Sequence, residues 1–223
     1  LEGRLESDLM DQAYTLFRNE IASMIYPQAR ILVEAHRRAG HRRVIASSAT
    51  PYQLSPAQED LMFDDLLCTT PVVVEGVLTG ELVGSSLWGP RKAQAVIDYA
   101  DREGLDLAVC FGYSNGGEDV PLLESVGHPL AVNPDDALSR HAAKVGWQTL
   151  QLERPKRGTD ITSAVRSTAA LGSVLASAGF GLGLGLLTRS RRTGANITSS
   201  IAPVDSRWPA TLMMSSVRAM MKT

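Results

Sequence analysis

Short apolar runs that each end on small or polar residues, with helix-patterned stretches between them, limit this chain to few folds. Val44-Ile45-Ala46 stops in Ser47-Ser48-Ala49-Thr50-Pro51, and the run from Leu107 to Phe111 stops in Gly112-Tyr113-Ser114-Asn115-Gly116-Gly117-Glu118-Asp119. Leu130-Ala131-Val132 leads likewise into Asn133-Pro134-Asp135, and Trp147 to Leu152 reads as a last strand. Between Leu5 and Ile25 the apolar residues recur at helical spacing, which predicts one or two amphipathic helices. Pro27 suits the first turn of the next helix, which buries Ala29, Leu32, Val33 and Ala35 and stops at Gly40. Pro56 to Leu67 reads as a helix running into a short strand, and Ala137 to Val145 as a helix. Lys92 starts a helix whose buried face is Ala93, Val96, Ile97 and Ala100. Val72 to Val83 holds two β-rich runs hinged at Glu75-Gly76, a hairpin. Alternation on this scale predicts an α/β fold on a parallel sheet, with ligands gathered beyond the carboxyl ends of the strands.

At 223 residues the chain can hold one full domain and an appendage. A net charge of -2 gives no general argument for nucleic acid or an anionic membrane surface as partner. Cys68 and Cys110 lie far apart beside apolar runs, the pattern of buried thiols in a reducing compartment rather than of a disulfide framework or zinc site. No secretory signal opens the chain, and its four histidines do not cluster at metal-ligand spacing. It begins at Leu1 inside a helical pattern, which reads as a fragment. Lys156 to Asp160 marks a linker, here taken as residues 154–167. Residues 168–188 are a charge-free Gly-, Ala- and Leu-rich run near the length of a membrane span, weakened as a helix by Gly179, Gly181, Gly183 and Gly185. Spanning, re-entrant, surface-lying and packed-helix readings of it stay open, with basic residues on both sides giving no orientation. The tail, residues 189–223, carries a methionine excess and no usable motif.

Three places offer chemistry. Ser47 to Thr50 puts hydroxyl and backbone N–H donors at a sheet edge, either a phosphate cradle or a Ser/Thr-rich turn and helix cap. Lys92 in a helix's first turn opposes the dipole, a cost that a bound anion would offset; most such lysines are simply exposed. Gly116 and Gly117 permit a tight turn, and Glu118 and Asp119 carry hard oxygen ligands suited to Mg²⁺, against the plainer reading of a solvated turn with Asp119 as helix cap.

Together, and in this order, these phrases resemble the haloacid dehalogenase (HAD) superfamily, phosphoserine-phosphatase-like (IB) subfamily, from about Leu5 to Leu152. Ala46-Ser47-Ser48-Ala49-Thr50, Leu78-Thr79-Gly80, Lys92 and Tyr113 to Pro121 carry the resemblance, with Leu123 to Pro129, Ala131 to Asp135 and Gly146-Trp147 adding to it. The His36, Gly40, His41 phrasing, Leu87-Trp88 and the Gly-rich run look like a bifunctional subgroup in which this domain precedes a 1-acylglycerol-3-phosphate acyltransferase. That second domain's His-x₄-Asp motif is absent, since no histidine follows His141.

The resemblance implies a Rossmann-like three-layer parallel sheet over residues 1–153, with a helical cap remnant at the N-terminus and a β-hairpin. It implies phosphomonoester hydrolysis through an aspartyl-phosphate with Mg²⁺ as cofactor. Ser48 and Ala49 would bind the phosphoryl group, Lys92 would neutralise it, and Asn115 and Asp119 would hold the metal. The implied partners are a small phosphorylated substrate and an acyltransferase domain in cis, at a cytoplasmic or membrane-associated location, with no nucleic acid.

Two departures stand out. The nucleophile motif Asp-x-Asp-Gly-Thr is missing, and Asn115 occupies the place of an acidic metal residue. Loss of the nucleophile strand, central in the resembled fold, predicts two unpaired strand edges, poor folding and no turnover. The pattern-poor end predicts a frameshift or truncated reading frame. The alternative function is a non-catalytic HAD-like scaffold or membrane-docking module for the acyltransferase. A dinucleotide-binding reading is weak, because no GxGxxG follows an early strand.

Overall fold

Local signals set most element boundaries. A computed structural model describes residues 1–153 and the strand 211–214. Helix α1 (Glu6–Leu16) continues through a π turn and a 3-10 turn to Met24. Pro27 opens α2 (Pro27–Arg38), and Gly40 at φ +76° releases the chain into β1 (Arg42–Ser47). Helix α3 (Pro51–Asp60) starts five residues earlier than Pro56 predicts. Thr50 caps it, with the Gln53 side chain accepting the Thr50 N–H at 3.0 Å, and Pro51 fills the first position. Pro56 lies buried inside this helix.

Strand β2 (Asp65–Cys68) is followed by the expected hairpin, β3 (Pro71–Val74) and β4 (Val77–Leu82). Its two turn residues, Glu75 and Gly76, both have positive φ, 49° and 79°, which matches the twist of the strands they join. The N-terminal arm adds to β4: the Gly3 N–H donates to the Leu78 carbonyl, and the Leu78 N–H to that of Arg4.

Helix α4 (Pro90–Glu103) ends at Gly104 in the left-handed region. The strand expected from Leu107 begins later. Asp106 accepts the Ala108 N–H and winds Leu107–Val109 into a 3-10 turn, so β5 is Phe111–Ser114. Then come α5 (Val120–Glu124), β6 (His128–Val132), α6 (Asp136–Val145) and β7 (Gln148–Leu150). Gly127 is required where α5 returns to β6: a Cβ there would stand 1.7 Å from the Ala108 carbonyl oxygen.

The main sheet is parallel throughout, in the order β2-β1-β8-β5-β6-β7, where β8 is Thr211–Met214. This corrects the expectation of unpaired central edges. Residues from the chain's last stretch lie between β1 and β5, with Arg42 opposite Thr211 on one side and Phe111 opposite Leu212 on the other. One apolar cluster fills each face. Phe17, Leu32, Val33 and Ile45 belong to one, and Val44, Ala46, Val96 and Leu138 to the other. Cys68 is half-buried and Cys110 buried, with the Cys110 thiol donating to the Asp106 carbonyl at 3.1 Å. Among the described residues no helix is long and apolar enough to cross a membrane. The run 168–188, the linker 154–167 and the tail outside 211–214 lie outside the described residues.

Two core histidines carry a consequence for stability. His36 Nδ1 and His41 Nδ1 are 2.9 Å apart, so one of them donates, and His36 Nε2 lies 3.0 Å from the Tyr113 hydroxyl. Burial first, then His41's proximity, holds His36 down at about 3, and burial holds His41 down at about 4. An imidazole whose folded pKa is depressed opposes folding once protonated, so its neutral form is fully accommodated only above about pH 7.5. Stability is then lost as pH falls through about 6.5 toward 4. Between pH 7.5 and 5, urea unfolding should show a loss of about 4 kcal/mol, about 2 from each histidine, and His36→Gln should roughly halve that slope. Gly127→Ala should destabilise by about 2–4 kcal/mol at either pH.

Candidate functional site

The carboxyl edge of the sheet gathers the turns after β1, β5 and β6, and the first turn of α4 stands beside them. Each turn is shaped by its own residues. Gly117 donates its N–H to Asp135 Oδ2 at 3.0 Å, while Asp135 Oδ1 caps α6 through the Leu138 N–H at 2.7 Å. The Asp135 N–H closes the link on the Asn115 carbonyl at 2.8 Å. A Cβ on Gly117 would meet that of Ala137 at 2.6 Å, so this approach requires glycine.

Within that frame Lys92 and Asp119 form a buried ion pair. Lys92 Nζ donates to Asp119 Oδ1 at 2.6 Å, with side chains 3% and 1% exposed. The Ser114 hydroxyl, fully buried at the end of β5, donates to Asp119 Oδ2 at 2.7 Å and accepts the Gly116 N–H at 3.3 Å. Both plainer readings fail here. Lys92 is not an exposed helix residue, and the Asp119 side chain does not cap α5.

The other expected residues fall on the same edge without joining this pair. Ser48 is half-buried in the bend after β1, and the Ala49 N–H goes to Ser47 Oγ at 3.2 Å. Strand β8 stands between β1 and β5, which separates Ser48 from Asn115 by two strand spacings, about 10 Å. Asn115 is half-buried. The Glu118 carboxylate folds back over Gly116, where a Cβ would clash with it.

Mg²⁺ ordinarily takes about six oxygens, from one or two carboxylates together with phosphate and water. Here Asp119 already accepts hydrogen bonds on both oxygens, and Asn115 adds only an uncharged amide. Among the described residues no three His, Cys, Asp or Glu side chains converge on a common point. Asp119 and Asn115 are the residues that would hold Mg²⁺, and the Lys92 ammonium on Asp119 Oδ1 reduces the charge they offer it. Lys92 stands there as a fixed cation beside polar turns at the sheet edge.

Ser114 and Asp135 escaped the sequence reading as site-shaping residues. The pattern around Asp135, an acid just before a helix, was a usable N-cap signal. Nothing in the local sequence marks Ser114, whose partner is set by the tertiary fold.

The family model for haloacid dehalogenase-like hydrolases matches residues 1–124, and the chain belongs to that family. It is 41% identical over 168 residues to the "Inhibition of morphological differentiation protein" of Streptomyces azureus, covering 71% of this chain and 60% of that one. It is 36% identical over 181 residues to "Phosphoserine phosphatase SerB1" of Mycobacterium tuberculosis, covering 80% and 58%. The chain thus spans about 60% of the length of these curated relatives. Among solved structures, a protein of unknown function from Bordetella pertussis Tohama I superposes with a TM-score of 0.62 at 27% identity, over 66% of this chain and 67% of that one. A probable phosphoserine phosphatase from Vibrio cholerae, 20% identical, shares the fold with a TM-score of 0.53 over 79% and 50%.

Removing one member of the buried pair strands the other's charge. Lys92→Met should therefore cost about 3–5 kcal/mol in urea unfolding, and Lys92→Met with Asp119→Leu should recover most of that loss. A double variant no more stable than Lys92→Met would show that the pair is not coupled.

Proposed function

We propose that this chain is the phosphate-recognising part of a HAD-type phosphatase for small phosphomonoesters, phosphoserine being the first to try. The observation that carries the reading is the buried Lys92, oriented by Asp119 and Ser114 at the sheet edge where ligands gather. The names of relatives such as the M. tuberculosis phosphoserine phosphatase support the substrate class. In this reading Lys92 neutralises phosphate charge from a fixed position, and Ser48 and the Ala49 backbone line the opposite side. The sequence carries no Asp-x-Asp-Gly-Thr nucleophile motif, so in this reading the chain binds a phosphomonoester without turning it over. Mg²⁺ dependence and the aspartyl-phosphate route belong to the reading only as properties of the wider family.

A second reading, a non-catalytic scaffold, is favoured by one observation: Asn115 brings no charge to a place where a metal would need it. The lipid-biosynthesis setting, with an acyltransferase domain in cis and membrane association through residues 168–188, is proposed on the phrasing around His36, His41 and Trp88 alone. The location proposed with it is cytoplasmic or membrane-associated.

Titration calorimetry with inorganic phosphate and with phosphoserine should show weak binding, weakened about tenfold by Ser48→Ala, the equivalent of one lost hydrogen bond. Phosphate release from a phosphomonoester panel, with and without Mg²⁺, should stay at the buffer rate. Mg²⁺-dependent turnover lost in Lys92→Ala would replace this reading with a complete phosphatase. Absence of phosphate binding by a cooperatively folded chain would move it to the scaffold.

A further inference from the structure

The amino edge of the sheet, opposite the turns described above, holds a groove of about 450 Å³ between the end of α2 and the first residues of β1 and β2. That volume lies within the range of small-molecule sites, about 300–1,000 Å³. Arg37, His41, Arg42, Arg43, Asp64 and Asp65 line it, and β1 runs from there to the Ser48 turn, about 20 Å of extended chain. Hydrogen bonding within the groove leaves donors over rather than acceptors. Asp64 Oδ1 accepts from Arg43 Nη2 at 2.6 Å, and Oδ2 accepts from Arg43 Nε at 3.0 Å and from the Arg43 backbone N–H at 2.7 Å. Asp65 Oδ2 accepts from Arg42 Nε at 2.7 Å and from the Tyr99 hydroxyl at 2.6 Å. Arg42 Nη1 donates to Glu103 at 2.8 Å, and Arg37 holds Glu34 through Nε and Nη2. Each of the three guanidiniums thus keeps one terminal nitrogen for a further acceptor. On Arg43, whose side chain is 10% exposed, that nitrogen is Nη1, and it is buried with no acceptor among the described residues. A buried donor left unsatisfied costs about 1–3 kcal/mol, more when it is charged, and a bound anion removes that cost.

We propose that this groove is a second ligand site, which takes a small tetrahedral oxyanion, phosphate or sulfate, on Arg43 with Arg37 and Arg42 beside it. A planar guanidinium matches two oxygens on one tetrahedral centre, and an oxyanion supplies several acceptors at once, so a single ion meets more than one of the spare nitrogens. Asp64 holds Arg43 by Nε and Nη2, which fixes its guanidinium and leaves Nη1 for the ligand. The inference stands independently of the proposed function, whose residues lie at the other edge of the sheet.

The test is a titration of the ¹⁵N-labelled full chain with inorganic phosphate and, separately, with sulfate, read by backbone amide shifts at fixed ionic strength. Both ions should move the amides of His41–Arg43 and Asp64–Asp65, as a set that titrates apart from the turns after β1, β5 and β6. Arg37→Met, at a half-exposed position on α2, should weaken the groove response about tenfold, the equivalent of one charge-assisted hydrogen bond, and leave the response of those turns unchanged. Arg43→Lys keeps a charge against Asp64 but has no Nη1, and should weaken the groove response at least as much. Ser48→Ala should do the reverse, weakening the response of the turns and sparing the groove, so failure here and failure of the phosphate reading are told apart. If Arg43→Lys does not fold, Arg37→Met decides alone. Absence of any shift at the groove, or a groove response that Arg37→Met leaves unchanged, would overturn the proposal. So would groove shifts reproduced by chloride at the same ionic strength, which would mean an adventitious ion only.

Discussion

Burying an ammonium and a carboxylate together between α4 and the turn after β5 is the constraint on which the carboxyl edge of the sheet depends. Each charge loses several kcal/mol of hydration on burial, and their attraction offsets this only when geometry is tight and the remaining lone pairs are satisfied. The Lys92–Asp119 pair meets both conditions, at 2.6 Å and with Ser114 on the second oxygen at 2.7 Å. The same carboxylate relieves a second conflict, since a lysine in the first turn of α4 faces the positive end of the helix dipole. Ser114 passes the arrangement on to the Gly116 N–H, and the glycine pair brings the turn against α6 through Asp135. Three elements are thus held by two acids, Asp119 and Asp135. A cation fixed in this way needs no reorganisation to meet an anion, but part of its charge is already neutralised.

That arrangement explains why the site was only partly legible. Lys92 and Asp119 could be picked out, because a lysine opening a helix and an acid closing a glycine turn are unusual locally. Their pairing could not, because 27 positions separate them and only the packing of α4 beside β5 brings them together. Ser114 reads simply as a polar residue ending a strand. The sequence likewise shows Asp119 as a source of hard oxygens but not that the fold sets an ammonium on one of them and a hydroxyl on the other.

The scaffold was more legible where the signal is short-range. Proline at the start and glycine at the end mark α2 and α4, and positive φ at Glu75-Gly76 follows from a two-residue hairpin. Errors came where two local signals compete. Pro56 looked like a helix start, but Thr50 with Gln53 caps the chain earlier, and Pro56 then lies inside the helix. The apolar run from Leu107 looked like a strand until Asp106 drew the Ala108 N–H into a turn.

Strand β8 was invisible for a deeper reason. A fully buried central strand has no alternation to reveal it, and four residues are too few to separate strand from helix by period. Its place follows from the demand of its neighbours, whose buried backbone groups accept any apolar, extended partner. That demand concerns the backbone, and it is indifferent to chemistry. Thr211-Leu212-Met213-Met214 contains no carboxylate, so it pairs the central edges without supplying a nucleophile. Completing the sheet and completing the site are therefore separate requirements, and in this chain the described residues meet the first while leaving Lys92 with Asp119 as its neighbouring acid.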